Sequence, residues 1–279
     1  MTISIGYYSP KKRYEKELYK LLSATQEAYG VITEREINHL PEPVQRYFRT
    51  SGFIGQPRVD VVEIIWADSK IKLGPGKNWT NLQTYQYNFV SAKSRLAYMR
   101  AHVAGVIPFE GRDRYSGGQG NMFGALGKIV KLFDNSSREV SLGGAVVLLA
   151  ESLLEPSIAL QEYITWEPVD KKTAKATFSD GDIEVSGLFF FNDAGEFIRF
   201  ESNDRPYEVS PGVYELKPFS IELGEYHESG GIKVAGQVYA TWHLEDGDFT
   251  YWDGKIGGLK RGQAGRPRPT LSKPGSDEK

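Results

Sequence analysis

Three groups of side chains have the types and spacing to do chemistry. The first is the run Arg112-Asp113-Arg114-Tyr115. On a strand, alternation puts Arg112 and Arg114 on one face and Asp113 and Tyr115 on the other. Such a run is either an outer-face charge pair with Tyr115 in the core, or an arginine fork that grips a ligand carboxylate. The second is Glu151 and Glu155, one helical turn apart on one face. They form a solvated helix edge or face an apolar interior. In the interior a carboxyl has a raised pKa and serves as general acid or base near neutrality. The third is His243, which shares a strand face with Gln237, Tyr239 and Thr241. That face is an outer polar stripe or, if it lines a cavity, presents His243 and Tyr239 as a proton-transfer pair. Glu225 lies on a neighbouring stretch and would add a carboxylate, whereas Arg199 and Arg205 read as surface residues. Trp66, Trp79, Trp166, Phe189, Phe191 and Trp242 are core residues or cavity wall; sequence does not separate the two uses.

Familiar catalytic signatures fail when tested position by position. Gly117-Gly118-Gln119-Gly120 would need a third glycine where Phe123 stands to be a dinucleotide fingerprint. Gly127-Lys128 would need a glycine where Met122 stands, and a hydroxyl residue where Ile129 stands, to be a phosphate loop. A glycine turn between a strand and a helix is the better account of both. His227-Glu228 lacks the second histidine of a zinc protease, and no Gly-x-Ser-x-Gly elbow occurs. With no cysteine and four scattered histidines (His39, His102, His227, His243), no metal site and no cofactor is expected.

The 279 residues carry 34 basic and 36 acidic side chains, a net charge of −2. No basic field draws the chain to nucleic acid. The first thirty residues lack the apolar run of a signal peptide. No stretch approaches the roughly 18 apolar residues that span a bilayer; Leu142–Leu149 is the longest apolar piece. The expectation is a soluble cytoplasmic protein without a membrane span. Aromatic content is high, with 14 Phe, 16 Tyr and 5 Trp.

These residues must be positioned by an alternation of helical and strand segments. Tyr14, Leu18, Leu21 and Leu22 predict a helix over 10–29 stopped by Gly30. Thr33 with Glu36 makes a capping box for a short second helix. A third is expected over 43–50, burying Val44, Tyr47 and Phe48. From Gln56 the period becomes two, with apolar residues on both faces around Val59–Trp66, so both faces should be covered. Strands follow at 79–90, 94–103 and 106–115. Residues 121–165 read as helical, over Met122–Phe133 and Leu142–Leu154, with Pro156 ending the second. Strands resume after Trp166, with turns at Asp180-Gly181 and Asn192–Gly195. They continue through 196–203, 213–228 and 250–260, with Val234–Glu245 the cleanest of all. This order argues α+β with a mainly antiparallel sheet. The boundaries drawn are an N-terminal helix over 1–32, one α+β domain over 33–260 and a disordered tail over 261–279.

Four segments taken together resemble an uncharacterised bacterial family known only as a domain of unknown function. They are Leu40–Arg49 (LPEPVQRYFR), Lys72–Trp79 (KLGPGKNW), Phe109–Tyr115 with Gly118–Met122 (FEGRDRY, GQGNM), and Trp166–Asp170 (WEPVD). Trp242-His243-Leu244 and Tyr251-Trp252 fit the same pattern. The likeness spans about residues 38–260. It implies a fold like the lipoprotein-carrier half-barrels, a large curved antiparallel sheet wrapped round helices, with an apolar cavity between. It supplies no activity or catalytic residue. This chain departs from the pattern at Glu155, where an aromatic or apolar residue precedes the proline. It departs again at Phe219, where the pattern has Trp, and at Ala235, where it has Pro. Many such proteins also carry membrane segments.

The first function expected is binding of a small apolar or aromatic molecule in that cavity. Arg112, Arg114, Tyr115, Glu151, Trp166 and Trp242 are the candidate ligand contacts. The second is a cofactor-independent cyclase, isomerase or decarboxylase in the same cavity, with Glu155, His243 and Tyr239 as the proton-transfer groups. The third is a structural or interaction protein whose aromatics are all core. Inspection of the sheet's interior separates the three. Sequence leaves the oligomeric state open.

Overall fold

The period-two segments pair in sequence order, because tight turns join them. Asp180-Gly181 turns one pair with Gly181 at φ 66°, and Gly117-Gly118 turns another at 59° and 74°. The structure, a computed structural model, describes residues 4–103 and 105–262. The N-terminal half contains β1 (Ser4–Ile5), α1 (Pro10–Ala24), α2 (Glu34–Ile37), α3 (Glu42–Thr50), β2 (Val61–Ile71), β3 (Thr80–Phe89), β4 (Ser94–Val103), β5 (Ile107–Ser116), β6 (Gln119–Leu126) and β7 (Val130–Asn135). Then come α4 (Arg138–Ala150), a 3-10 turn (Glu151–Leu153) and α5 (Pro156–Ala159). The second half contains β8 (Ile164–Pro168), β9 (Thr173–Asp180), β10 (Ile183–Phe191), β11 (Phe197–Ser202), β12 (Pro206–Ser210), β13 (Val213–Leu216), β14 (Phe219–Gly224), β15 (His227–Ser229), β16 (Ile232–Val234), β17 (Gln237–Leu244) and β18 (Gly247–Gly262).

Among the described residues, fourteen strands form one antiparallel sheet in the order β1-β7-β6-β5-β4-β3-β2-β18-β17-β14-β11-β10-β9-β8. Two meanders meet where the last strand, β18, pairs with β2. Hairpins β12–β13 and β15–β16 stand outside this sheet. Helix α4 touches β4, β5 and β6 near one end of the order and β9 and β10 near the other. β6 and β10 are nine strand spacings apart, which in a flat sheet would be roughly 40 Å. A helix is only about 10–12 Å across. The sheet therefore curls round α4. Bulges in β2 between Ile65 and Ser69, and in β18 between Lys255 and Gly258, supply bends at its middle. Asp180 at the end of β9 closes the curl: it accepts from Gly118 N (2.7 Å), the Tyr115 hydroxyl (3.1 Å) and Lys93 Nζ (3.1 Å).

The main core lies inside the curl. Tyr47 and Phe48 of α3, Leu148 and Leu149 of α4, and Phe178, Phe189 and Phe200 of the sheet are buried there. Tyr47 packs on Phe191 and Phe197 and donates its hydroxyl to Leu153 O (2.9 Å). A second cluster lies on the outer face, where Tyr14 and Leu18 of α1 cover Phe89, Leu96 and Tyr98. The expected cover on both faces of the first long strand is present.

Several expectations need correction. The chain is mostly β, not α+β; the N-terminal helix α1 docks on the outer face of the sheet, and α3 and α4 pack in its concavity. Met122–Phe133 was expected as a helix and is β6 and β7. Its apolar residues pair across a hairpin, Gly124 opposite Phe133, and Gly120 presses on α4. A side chain at 120 would sit 2.5 Å from Val140 O. The segment from Val234 to Glu245 is broken: Gly236 donates back to Gly224 O (2.9 Å), which ends β16 before β17 begins. The hairpin β12–β13 was not foreseen. The expected tail starts too early, because Arg261 and Gly262 pair with β2; the rest of that segment lies outside the described residues. The capping box at Thr33 is present, with the Thr33 N–H donating to Glu36 (2.8 Å). Pro156 begins α5 as its first residue. Among the described residues no helix is long and apolar enough to cross a membrane.

Candidate functional site

A cavity of about 450 Å³ lies between α4 and the concave face of the sheet. It falls within the usual size range of small-molecule sites. Helical periodicity explains the wall that α4 supplies: Glu139, Val140, Gly143, Gly144, Val147 and Ala150 recur along one stripe. Gly143 leaves open space; a Cβ built there meets no atom within 4 Å. Strand alternation explains the rest of the wall. Phe219, Ile221 and Leu223 of β14, and Val238, Ala240 and Trp242 of β17, point inward at every second position. β18 adds Tyr251, Trp252 and Ile256, β4 adds Arg95, Ala97 and Met99, and β6 and β7 add Met122 and Phe133. Hairpin β12–β13 contributes Tyr207, Glu208 and Tyr214. It reaches across to the far end of the sheet, where Asn135 Nδ2 donates to the Tyr214 hydroxyl (2.7 Å).

One stretch of wall is polar and internally satisfied. The Glu151 carboxylate accepts from Gln86 Nε2 (2.8 Å), Asn88 Nδ2 (2.8 Å) and Arg95 Nε (3.1 Å). Arg95 Nη1 donates to Asp113 at 2.7 Å. The Trp66 indole N–H holds Gln86 from the other side (3.1 Å). Burial works against the charge of Arg95, but Glu151 and Asp113 outweigh it and raise its pKa further. A cation between two carboxylates in a largely buried wall stays charged and fixed.

Arg205 is placed differently. It lies at the base of the β12–β13 hairpin with its guanidinium over Phe219 (4.1 Å), Trp242 (4.6 Å) and Tyr251 (5.5 Å). One Nη donates to the Tyr251 hydroxyl (2.9 Å). Tyr207 packs edge-on against Trp242 at 5.0 Å.

The sequence-derived candidates separate. Glu151 and Trp242 line the cavity. Tyr115 points to the concave side but is packed into the core under α4. Arg112 faces the opposite side. It is only 3% exposed, with its Nε on Glu17 of α1 at 2.7 Å and Nη1 on Asn121. Helix α1 covers this face, so the fork holds a helix and not a ligand. Arg114 shares that outer face, half-buried, and burial lowers its pKa. Trp166 is a core-edge residue, 4.9 Å from Phe189, with its indole N–H on Ala159 O (3.0 Å).

The proposed catalytic set does not converge. Tyr239 (38% exposed) and His243 lie on the face of β17 opposite its three cavity-lining residues. His243 Nδ1 donates to Asp248 (2.7 Å), and its Nε2 is 2.9 Å from Ser220 Oγ. Glu155 is fully buried but away from the cavity. It receives Arg261 at 2.6 and 3.0 Å and caps α5 through Ser157 N (3.0 Å). Glu225 has positive φ (51°) at a bend and is not in the wall. Sequence reasoning missed Arg95 and left Arg205 at the surface. Arg95, Ala97 and Met99 at every second position of β4 were a visible signal for the first; nothing local marked the second. Among the described residues, no three His, Asp or Glu side chains cluster as metal ligands.

Residues 30–254 match the model of a family of unknown function (DUF6544), and the chain belongs to that family. No curated protein matches it. Two solved structures are similar in part. One is a domain described as an outer membrane lipoprotein-sorting protein, from Vibrio parahaemolyticus: 11% identical, covering 78% of this chain and 90% of its own, TM-score 0.40. The other is a LolA superfamily protein from Nitrosomonas europaea: 9% identical, covering 78% and 92%, TM-score 0.39.

Proposed function

We propose that this member of the DUF6544 family binds a small, mainly apolar molecule in the cavity between α4 and the curled sheet. The observation that carries the proposal is the wall itself. Two independent periodicities, the stripe of α4 and the alternation of β14, β17 and β18, bring apolar side chains to one space and leave it open at Gly143. Apolar area removed from water stabilises a bound molecule by roughly 25 cal/mol per Å² before the costs of association. The polar stretch around Arg95 is saturated by its own partners, so it shapes the wall without needing a ligand.

The test is titration with a neutral apolar fluorophore such as N-phenyl-1-naphthylamine. Native mass spectrometry of the purified protein accompanies it, to detect a co-purified molecule. Saturable 1:1 binding, lost when Ala240→Trp fills the wall, supports the proposal. Absence of saturable binding in the unsubstituted protein overturns it.

A further inference from the structure

The cavity holds two arginines with opposite surroundings. Arg95 is neutralised by Glu151 and Asp113 at 3.1 and 2.7 Å. Arg205 has no carboxylate within ion-pair distance among the described residues, and its one side-chain acceptor is the Tyr251 hydroxyl. The carboxylate next to it in sequence, Asp204, is used elsewhere: it accepts from Ser186 N (2.7 Å) and Ser186 Oγ (3.0 Å). The aromatic rings of Phe219 and Trp242 lie against the guanidinium. They hold its plane and leave N–H groups on its edge without an acceptor among the described residues. A planar fork fixed in this way, with free N–H groups beside an apolar space, matches a carboxylate.

We infer that the ligand is an amphiphile with one apolar body and one carboxylate, and that Arg205 receives the carboxylate. The inference rests on the proposed use of the cavity and names the ligand class for it. The other charges on the wall set the ligand's charge. Asp113, Glu139 and Glu208 also line the cavity, so a second negative charge on the ligand meets repulsion that a monoanion largely avoids. A carboxylate therefore fits better than a phosphate monoester.

The experiment measures Kd for dodecanoate, dodecanol, dodecylamine and dodecyl phosphate by displacement of the neutral fluorophore, at pH 7.5. Dodecanoate is expected to bind roughly tenfold to a hundredfold tighter than dodecanol, the range of a charge-assisted hydrogen bond. Dodecylamine and dodecyl phosphate should bind more weakly than dodecanoate. Arg205→Gln should bring the dodecanoate-to-dodecanol ratio close to one, and Arg205→Lys should restore only part of it. A second readout needs no variant: lowering the pH through the range of the ligand's own carboxyl should erase the preference in the unsubstituted protein. Equal affinity for acid and alcohol, or a preference that survives Arg205→Gln, overturns this inference and leaves the apolar cavity standing. Failure of all four compounds and of the fluorophore to bind overturns both.

Discussion

Replacing Gly143 by leucine should stabilise the protein and close its cavity in one step. The residue sits in the interior of α4, where glycine costs about 0.8–1 kcal/mol relative to a good helix former. A Cβ at this position meets nothing within 4 Å, and the residue lines the cavity. The leucine side chain enters apolar space that the native protein leaves open. Full burial of such a side chain is worth roughly 1.5–3 kcal/mol. Allowing for partial burial, the sum is a gain of roughly 1–3 kcal/mol, a rise in Tm of about 5 °C for a domain of this size. The neighbouring glycine provides the contrast. A Cβ at Gly144 would lie 3.1 Å from the Cβ of Tyr115, so Gly144→Leu should destabilise by about 1–3 kcal/mol through overpacking. The assay is thermal unfolding by calorimetry together with titration of the neutral fluorophore. Gly143→Leu should raise Tm and weaken binding at least tenfold, a change of about 1.4 kcal/mol. A fall in Tm, or binding as tight as in the unsubstituted protein, would refute the claim that this space is open and is the binding site.

Other expectations follow from individual contacts. Glu151→Ala removes the acceptor for Gln86, Asn88 and Arg95. It should cost about 3–5 kcal/mol in urea unfolding, the range for breaking a buried charge pair from one side. Glu155→Ala leaves Arg261 without its carboxylate and uncaps α5, so it should also destabilise by several kcal/mol; a near-neutral effect would show the pair to be dispensable. For Asp134, burial raises the pKa, but Asn121 and Arg13 outweigh this and hold the carboxyl below its ordinary value. A depressed pKa means its stabilising contribution is present above about pH 4 and is lost as pH falls through the lower, folded value. Hydrogen exchange in α1, which carries Arg13, should accelerate as pH falls through this range beyond the intrinsic pH trend. Asp134→Asn should remove that dependence. Tyr214→Phe deletes the hydrogen bond that ties the β12–β13 hairpin to Asn135. Stopped-flow displacement should then show faster ligand release with little change in Tm, and an unchanged off-rate would mean the ligand does not pass the hairpin.

Much of the secondary structure was legible along the chain. Alternation placed the strands around Thr80–Phe89, Ser94–Val103 and Ile183–Phe191, and the Asp-Gly turn between β9 and β10 set their register. Capping chemistry placed α2, and apolar spacing named the buried face of α3. Legibility failed at Met122–Phe133, where an apolar stretch with two glycines suits a helix or a hairpin equally until its contacts are known. β6 became a strand because Gly120 lets α4 approach its backbone and because β5 was already there to pair with it.

Which side of each strand faces inward is a tertiary matter. Alternation divides Gln237–Leu244 into two sets, Val238/Ala240/Trp242 and Tyr239/Thr241/His243, and says nothing about where each set points. Pairing with β14 and β18 round a central helix turned the first set to the cavity and the second outward, so the histidine and tyrosine do not line it. The same rule put Arg112 under α1 and Asp113 in the cavity wall. Arg205, read as a surface residue beside a proline, became a cavity residue because the curl of the sheet brought Phe219, Trp242 and Tyr251 beneath it. From its own residues the chain determines period, turns, aromatic load and the absence of motif chemistry, since these depend on neighbours a few positions away. Closure of a fourteen-strand sheet on one helix decides the inside, because a one-residue change of register exchanges the two faces of a strand and only long-range packing selects between them.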